Sequence, residues 1–439
     1  MFFLYSLIYT LVFILMLPLF GLSAIFRGKH AAGFFQRLGF LPKFTPDKRP
    51  VIWLHCVSVG ETNAARPLVE ALRTSLPDHR LIVSTVTRTG QKLARTIFAE
   101  TAECVFYVPF DWKFTVRRAL HRFKPAMLLL METEIWFNLI RETNKSGARV
   151  AIVNGRLSTR SFTRYGYLKK FMRRVLGYLD LALMQENADA TKLMALGIRA
   201  SKVRVTGNLK FDHDLDENEN AVSFELRERF GITADAPLII AASTHSPEEK
   251  WLTEAFKNVW KSSGANLPRL MIAPRHPERF TEVAEIIKST GFTWVRRSEM
   301  ESDRDQSAEI ILLDTIGELR AIYPLAEIVF VGGSLIPHGG QSIFEPAADG
   351  KAIVTGPHTV NFDAAVKEFL DKDALVQIKS VSDKDASVKI AAVFDELLSN
   401  AEKRTMLGAN ALEVMKHNRG AAIRTVEYIL PLIQPHEHQ

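Results

Sequence analysis

Cysteine is nearly absent from this chain of 439 residues: only Cys56 and Cys104 occur. Two isolated cysteines supply neither a disulfide framework nor a metal-ligand spacing, and they fit a reducing compartment. No His/Asp cluster has ligand spacing and no Asp-x-Asp stands at a strand end, so no metal is expected. The chain also lacks Gly-x-Gly-x-x-Gly, which disfavours a dinucleotide oxidoreductase, and any phosphate loop ending in Gly-Lys-Ser/Thr. No Lys/Arg run is long enough for a nucleic-acid arm. Short repeats and low-complexity segments are missing as well.

What remains is the composition of a globular protein, 47% hydrophobic and 24% charged, with a formal charge of +7. At ~100–200 residues per domain the length calls for two domains plus extras. The charge favours acidic partners. Its basic residues gather in 156–174, "RLSTRSFTRYGYLKKFMRR", either a solvated helix face or a surface for anionic headgroups or phosphates. Residues 2–26 carry no charge and Arg27, Lys29 and Arg37 follow directly. That run reaches the ~20 residues of a hydrocarbon span, without the basic n-region of a cleaved signal. It predicts a membrane anchor over 1–28 and a body on the cytoplasmic side.

Beyond it, short β-branched runs alternate with helical stretches: 51–57, 81–86, 126–131, 149–153, 180–184 and 203–206, then 238–242, 269–273, 293–295, 309–313, 327–332 and 352–355. Continuous apolar strands separated by helices indicate parallel sheets covered on both faces. The acidic stretch 212–222, "DHDLDENENAV", separates the two series and reads as a linker. The expected organisation is a domain over 29–211, the linker 212–222, a second domain over 223–418 and a last helical segment, 419–439, crossing back to the first. Two such domains imply a cleft, where ligands prefer to bind.

Chemistry gathers at strand ends. In "HCVSVGETNAARP", Gly60 breaks a strand and Glu61 opens a helix, either complementing its dipole or meeting a ligand where open α/β sheets place one. "METE" sets Glu132 and Glu134 after an apolar strand, and "TGNLKFD" sets Lys210 after another. Such carboxylates are costly to bury unless paired or functional, and a Glu132–Lys210 ion pair is one explanation. In the second half Arg275 and His276 follow strand 269–273, and Gly317 and Glu318 stand at a helix start. Gly332-Gly333 and Gly339-Gly340 precede a helix expected to begin at Gln341 and Ser342, with Glu345 one turn in. Backbone N–H groups there suit an anion, and Glu345 suits ribose hydroxyls.

The motifs "SVGET", "METEIW", "NGRLSTRS", "TGNLKFD", "STH", "APRHPERF", "DTIGEL", "VGGS", "GGQSIFEPAA" and "TGPHTVNF" occur in an order that resembles the Kdo transferases of lipopolysaccharide synthesis, over nearly the whole chain. These enzymes move 3-deoxy-D-manno-oct-2-ulosonic acid (Kdo) from CMP-Kdo to a lipid A precursor. The resemblance implies a GT-B fold, two Rossmann-like domains, with the acceptor on the first and CMP-Kdo on the second. It implies inverting transfer to lipid IVA at the cytoplasmic face of the bacterial inner membrane, without cofactor or metal. It assigns Glu61 as general base, with Glu132 and Lys210 supporting the transition state. Donor contacts fall on Arg275, His276, Gly317, Glu318, Leu319, Gly339, Gly340, Gln341, Ser342 and Glu345. Two departures stand out: Phe137 replaces a proline common after "ETE-x-W", and Gln341-Ser342 replaces an "HN" sometimes seen after "GG". A different GT-B enzyme using a UDP-sugar, an epimerase of that fold, or a membrane-tethered nucleotide-binding protein are the rival readings.

Overall fold

The computed structural model describes residues 1–27, 33–45, 47–212, 217–233, 236–262 and 267–433, with the side chains of 18–27 and 217–219 excepted. It divides into two compact units, Met1–Asp212 with the C-terminal segment from Arg419, and His213–Asn418.

The first unit is built on seven strands: β1 (Val51–Cys56), β2 (Arg80–Thr85), β3 (Ala102–Tyr107), β4 (Pro125–Met131), β5 (Arg149–Gly155), β6 (Leu181–Met184) and β7 (Val203–Val205). Their order is β3-β2-β1-β4-β5-β6-β7, all parallel. Alternate residues of each strand enter opposite layers, as a pleat requires. Trp53, Ile82, Phe106, Leu128 and Ile152 fill one layer. Ile52, Leu54, Val83, Leu129 and Val153 fill the other, which the C-terminal helix Ala421–Ile433 helps to close through Val426 and Ile429. Strand order reverses between β1 and β4, so this is the switch point at which such sheets bind ligands.

The second unit repeats the plan with β8 (Leu238–Thr244), β9 (Arg269–Pro274), β10 (Trp294–Arg296), β11 (Ile310–Leu312), β12 (Ile328–Val331), β13 (Ala352–Thr355) and β14 (Val376–Gln377). The order is β10-β11-β9-β8-β12-β13-β14, with the switch between β8 and β12. Every strand expected from the sequence is present. The two that were not expected are β14, only two residues long, and β3, a sheet edge. Half-exposed "AECVFY" lacks the continuous apolar run of a buried strand.

Two expectations need correction. The acidic 212–222 stretch is not linker throughout: Glu217–Phe230 is helical, held by the buried Leu226 and Phe230 beyond the polar residues; 213–216 lie outside the described residues. Nor does the N-terminal helix, Phe2–Arg27, support a spanning anchor, because among the described residues no helix is long and apolar enough to cross a membrane. Its first turns instead lie on the first unit. Phe2 is buried against Phe171, Tyr5 packs on Phe137, Tyr9 on Trp112, and Phe13 on Phe110 and Trp112. The recurrence at 2, 5, 9 and 13 is one helical face. The other face, Phe3, Leu4, Leu7, Ile8, Leu11, Ile14 and Leu15, is exposed. Uniform hydrophobicity in the sequence concealed this division, since the inward face is aromatic rather than polar.

Candidate active site

At the switch point of the first unit β1 ends in Cys56, and Ser58 caps the helix Val59–Ala64 by accepting from the Glu61 N–H. The Glu61 side chain reaches back over the helix start: its Oε1 accepts from the Ser58 hydroxyl at 3.2 Å, and its Oε2 from the Val57 N–H at 2.7 Å. The helix-start role and exposure to chemistry are therefore compatible. Glu61 is buried, at 6% exposure. Burial, reinforced by the charges of Glu132 and Glu134, pushes it up to about 8 despite the two hydrogen bonds. A carboxyl poised near neutrality is the form a general base requires.

Glu132 follows β4, across the switch. Its backbone lies in the left-handed region, φ 53°, fastened by its N–H to the Val153 carbonyl at 2.9 Å. Such a conformation is unfavourable for a non-glycine residue and persists where neighbours over-determine it, often at functional sites. The Glu132 carboxylate faces Lys210 Nζ at 3.7 Å. Glu134 is raised by its own burial and by Glu132, while the Trp136 indole N–H, 3.2 Å away, opposes the rise.

Asn154 was not singled out from the sequence. It is buried, also left-handed (φ 53°), and its Oδ1 accepts from the Leu209 N–H at 3.0 Å, which fixes the short turn Leu209–Asp212 carrying Lys210. The Asn-Gly dipeptide at the end of β5 was the available signal.

In the second unit Arg275 and His276 are exposed beyond β9, with the Arg275 N–H bonded to the Thr244 carbonyl at 3.0 Å. Buried His245, after β8, joins them: its ring centre lies 5.3 Å from His276 and 4.2 Å from His338. His245 Nδ1 donates to the Ser243 carbonyl at 3.1 Å. Burial, with His338, His276 and Arg275 facing it, lowers the ring to about 4, so it is neutral at pH 7. Gly339 and Gly340 have φ of 100° and 75°, and the Gly340 N–H bonds Gly333 O at 2.8 Å.

Two sequence expectations change here. The N–H groups after β12 are already taken: fully buried Glu248 accepts from Gly333 at 2.7 Å, Ser334 at 3.1 Å, Leu335 at 3.0 Å and His245 at 3.0 Å. Gly332-Gly333 thus cradles an internal carboxylate, and a Cβ at Gly332 would stand 2.6 Å from Ser243 O. Gln341 and Ser342 do not open a helix; it runs Phe344–Ala348, with Glu345 in its only turn. Glu318, beside Gly317 (φ 97°) and Leu319, gives its carboxylate to Arg297 at 2.9 Å and to the Thr315 hydroxyl. Among the described residues no group of three or more His, Cys, Asp or Glu could hold a metal.

The family described as 3-deoxy-D-manno-octulosonic-acid transferase (kdotransferase) matches residues 32–213. A 3-deoxy-D-manno-octulosonic acid transferase of Haemophilus influenzae is 31% identical over 422 residues, 96% of each chain. Among solved structures, a UDP-GlcNAc 2-epimerase of Neisseria meningitidis bound to UDP-GlcNAc has a TM-score of 0.58 at 14% identity, covering 87% of this chain and 99% of that one. A Rickettsia africae glycosyltransferase has a TM-score of 0.57 at 12% identity, covering 89% and 100%. These structural likenesses establish the shared fold.

Because Glu61 is raised, its basic form populates as pH climbs through about 8. A rate dependent on it should rise over the same interval. The sign for stability is opposite: the unfolded carboxyl ionises near its ordinary 4.5, so the native state loses stability from there up to about pH 8. Glu61→Gln should therefore fold, melt higher than the parent above pH 8, and turn over ~10²–10⁴-fold more slowly. Thermal melts and initial rates across pH check both.

Proposed function

Because the chain belongs to the 3-deoxy-D-manno-octulosonic acid transferases, we propose that it transfers Kdo from CMP-Kdo to a lipid A precursor, lipid IVA, with inversion at the anomeric carbon. The observation that carries this reading is the Glu61 carboxyl, raised to about 8 and facing the charges of Glu132 and Glu134 at a strand-order switch. In the proposed reaction an acceptor hydroxyl gives its proton to Glu61 as its oxygen bonds to the anomeric carbon of Kdo. The bond from that carbon to the phosphate oxygen breaks on the opposite face, and CMP leaves with the electron pair. One carboxylate suffices for such a displacement, since a phosphate leaving group needs no strong general acid. Lys210, held beside Glu132, supplies positive charge near the reacting groups. On the donor side Arg275 and His276, with the Gly339 to Ser342 loop, are proposed to take the CMP phosphate, and Gly317 to Leu319 and Glu345 the nucleoside. For Glu318 this contact would come through its backbone, its carboxylate being paired with Arg297.

We further propose that the protein sits on the cytoplasmic face of the inner membrane. The support is the exposed aliphatic face of residues 3–15 beside a basic helix, Lys169–Leu176, whose Phe171 packs on Phe2. Lys169, Lys170, Arg173 and Arg174 on that helix are exposed. An aliphatic face flanked by cations fits a leaflet with anionic headgroups.

The direct test supplies CMP-Kdo, generated in situ, and tetraacylated lipid A precursor, and resolves products by mass. Added Kdo, retained after exhaustive chelation, is the expected result; folded protein with no product overturns the reading, and loss on chelation overturns its metal independence. Lys169→Glu with Lys170→Glu should weaken sedimentation with vesicles containing anionic phospholipid and leave sedimentation with neutral vesicles unchanged. Equal binding of both vesicles by parent and variant would contradict the basic face.

A further inference from the structure

Besides its aromatic contacts, the N-terminal helix bonds to a buried carboxylate of the first unit. Asp111 is fully buried between β3 and the helix Lys113–Phe123. Its Oδ1 accepts from the Leu139 N–H at 2.8 Å and its Oδ2 from the Asn138 N–H at 3.0 Å. Those are two of the open donors in the first turn of the helix Phe137–Lys145, whose own N-cap residue, Trp136, makes no side-chain cap. Asp111 therefore caps this helix from a distant segment. The Asp111 carbonyl adds a bond from Asn138 Nδ2 at 2.6 Å, and that amide reaches Ser6 Oγ at 3.1 Å. Oδ2 also accepts from the Tyr5 hydroxyl at 2.7 Å.

The capped turn is the continuation of the acidic loop. Glu132, Glu134 and Trp136 precede Phe137 directly, and Trp136 holds Glu134 through its indole N–H while its ring meets His55 edge-on at 5.7 Å. A shift of the helix start moves the carboxylates that raise Glu61. We propose that Tyr5 and Asp111 are positioning residues for transfer, so that the N-terminal helix, seated on lipid by its aliphatic face, braces the Glu132–Trp136 loop. This rests on the transferase reading for its catalytic consequence and on geometry alone for the brace.

Thr10 provides the control. Its hydroxyl also ties the N-terminal helix to the unit, accepting from Trp112 Nε1 at 2.9 Å and donating to the Ser6 carbonyl at 2.7 Å, but it makes no hydrogen bond to the Asp111 carboxylate. Tyr5→Phe keeps the ring that packs on Phe137 at 4.8 Å and removes only the hydroxyl. In full-length protein, Tyr5→Phe should speed hydrogen exchange at the Asn138 and Leu139 amides and lower kcat by about fivefold or more, with the donor KM unchanged. Asp111→Asn should do the same more strongly. Thr10→Val should leave exchange at those amides and kcat at parental values. Unchanged amide exchange in Tyr5→Phe, faster exchange with parental kcat, or equal effects of Thr10→Val would each overturn the proposal. Should the parent transfer no Kdo, the functional reading fails separately, and the amide exchange still decides whether the brace exists.

Discussion

A carboxyl group kept from water beside other carboxylates is the constraint on which the first unit turns. Left unaided, Glu61 would be costly at 6% exposure, and two hydrogen bonds, from Val57 and Ser58, make its place tenable. They do not cancel the burial, and Glu132 and Glu134 add to it, so the group stays near neutrality in its proton affinity. Everything that places those neighbours becomes part of the same arrangement. The left-handed backbone of Glu132, the Asn154 clamp on the Lys210 turn and the Asp111 cap on the following helix each fix one wall.

The second unit answers a similar problem in a different way. Glu248 is as deeply buried, yet four backbone N–H groups close around it. Its carboxyl, raised by burial, locks the end of β12 against the turn after β8, where a ligand's anion was expected. What remains open at that edge is cationic or neutral: Arg275, His276 and the exposed His338 around a buried, uncharged His245. In the proposed reaction the first unit would offer the proton acceptor and the second the anion partners.

Much of this was readable in the sequence because parallel sheets announce themselves. Buried strands are continuous apolar runs, and the residues past them lie at the carboxyl ends of their own sheets, Glu61, Glu132 and Lys210 in the first unit and Arg275 in the second. The possible Glu132–Lys210 pairing could be named from that rule alone. Interactions between distant segments could not. Nothing in "VGGS" reveals that its N–H groups meet a glutamate from the helix Glu248–Ser262, and nothing near "METEIW" points to Asp111 or Tyr5. The N-terminal helix misled for a related reason. Hydropathy counts an inward-facing Phe13 and an outward-facing Leu15 alike, so a helix docked by aromatic contacts reads as one immersed in lipid.

The central claim is that burial and neighbouring charge hold the Glu61 carboxyl far above its ordinary range. The most direct measurement is a carbon-13 titration of the glutamate side-chain carboxyls, with Glu61 assigned by its loss in Glu61→Gln. A midpoint near 8 that falls when Glu132 is replaced by Gln is the predicted result. A midpoint near 4.5, unmoved by that replacement, would contradict the account and leave Glu61 a helix cap.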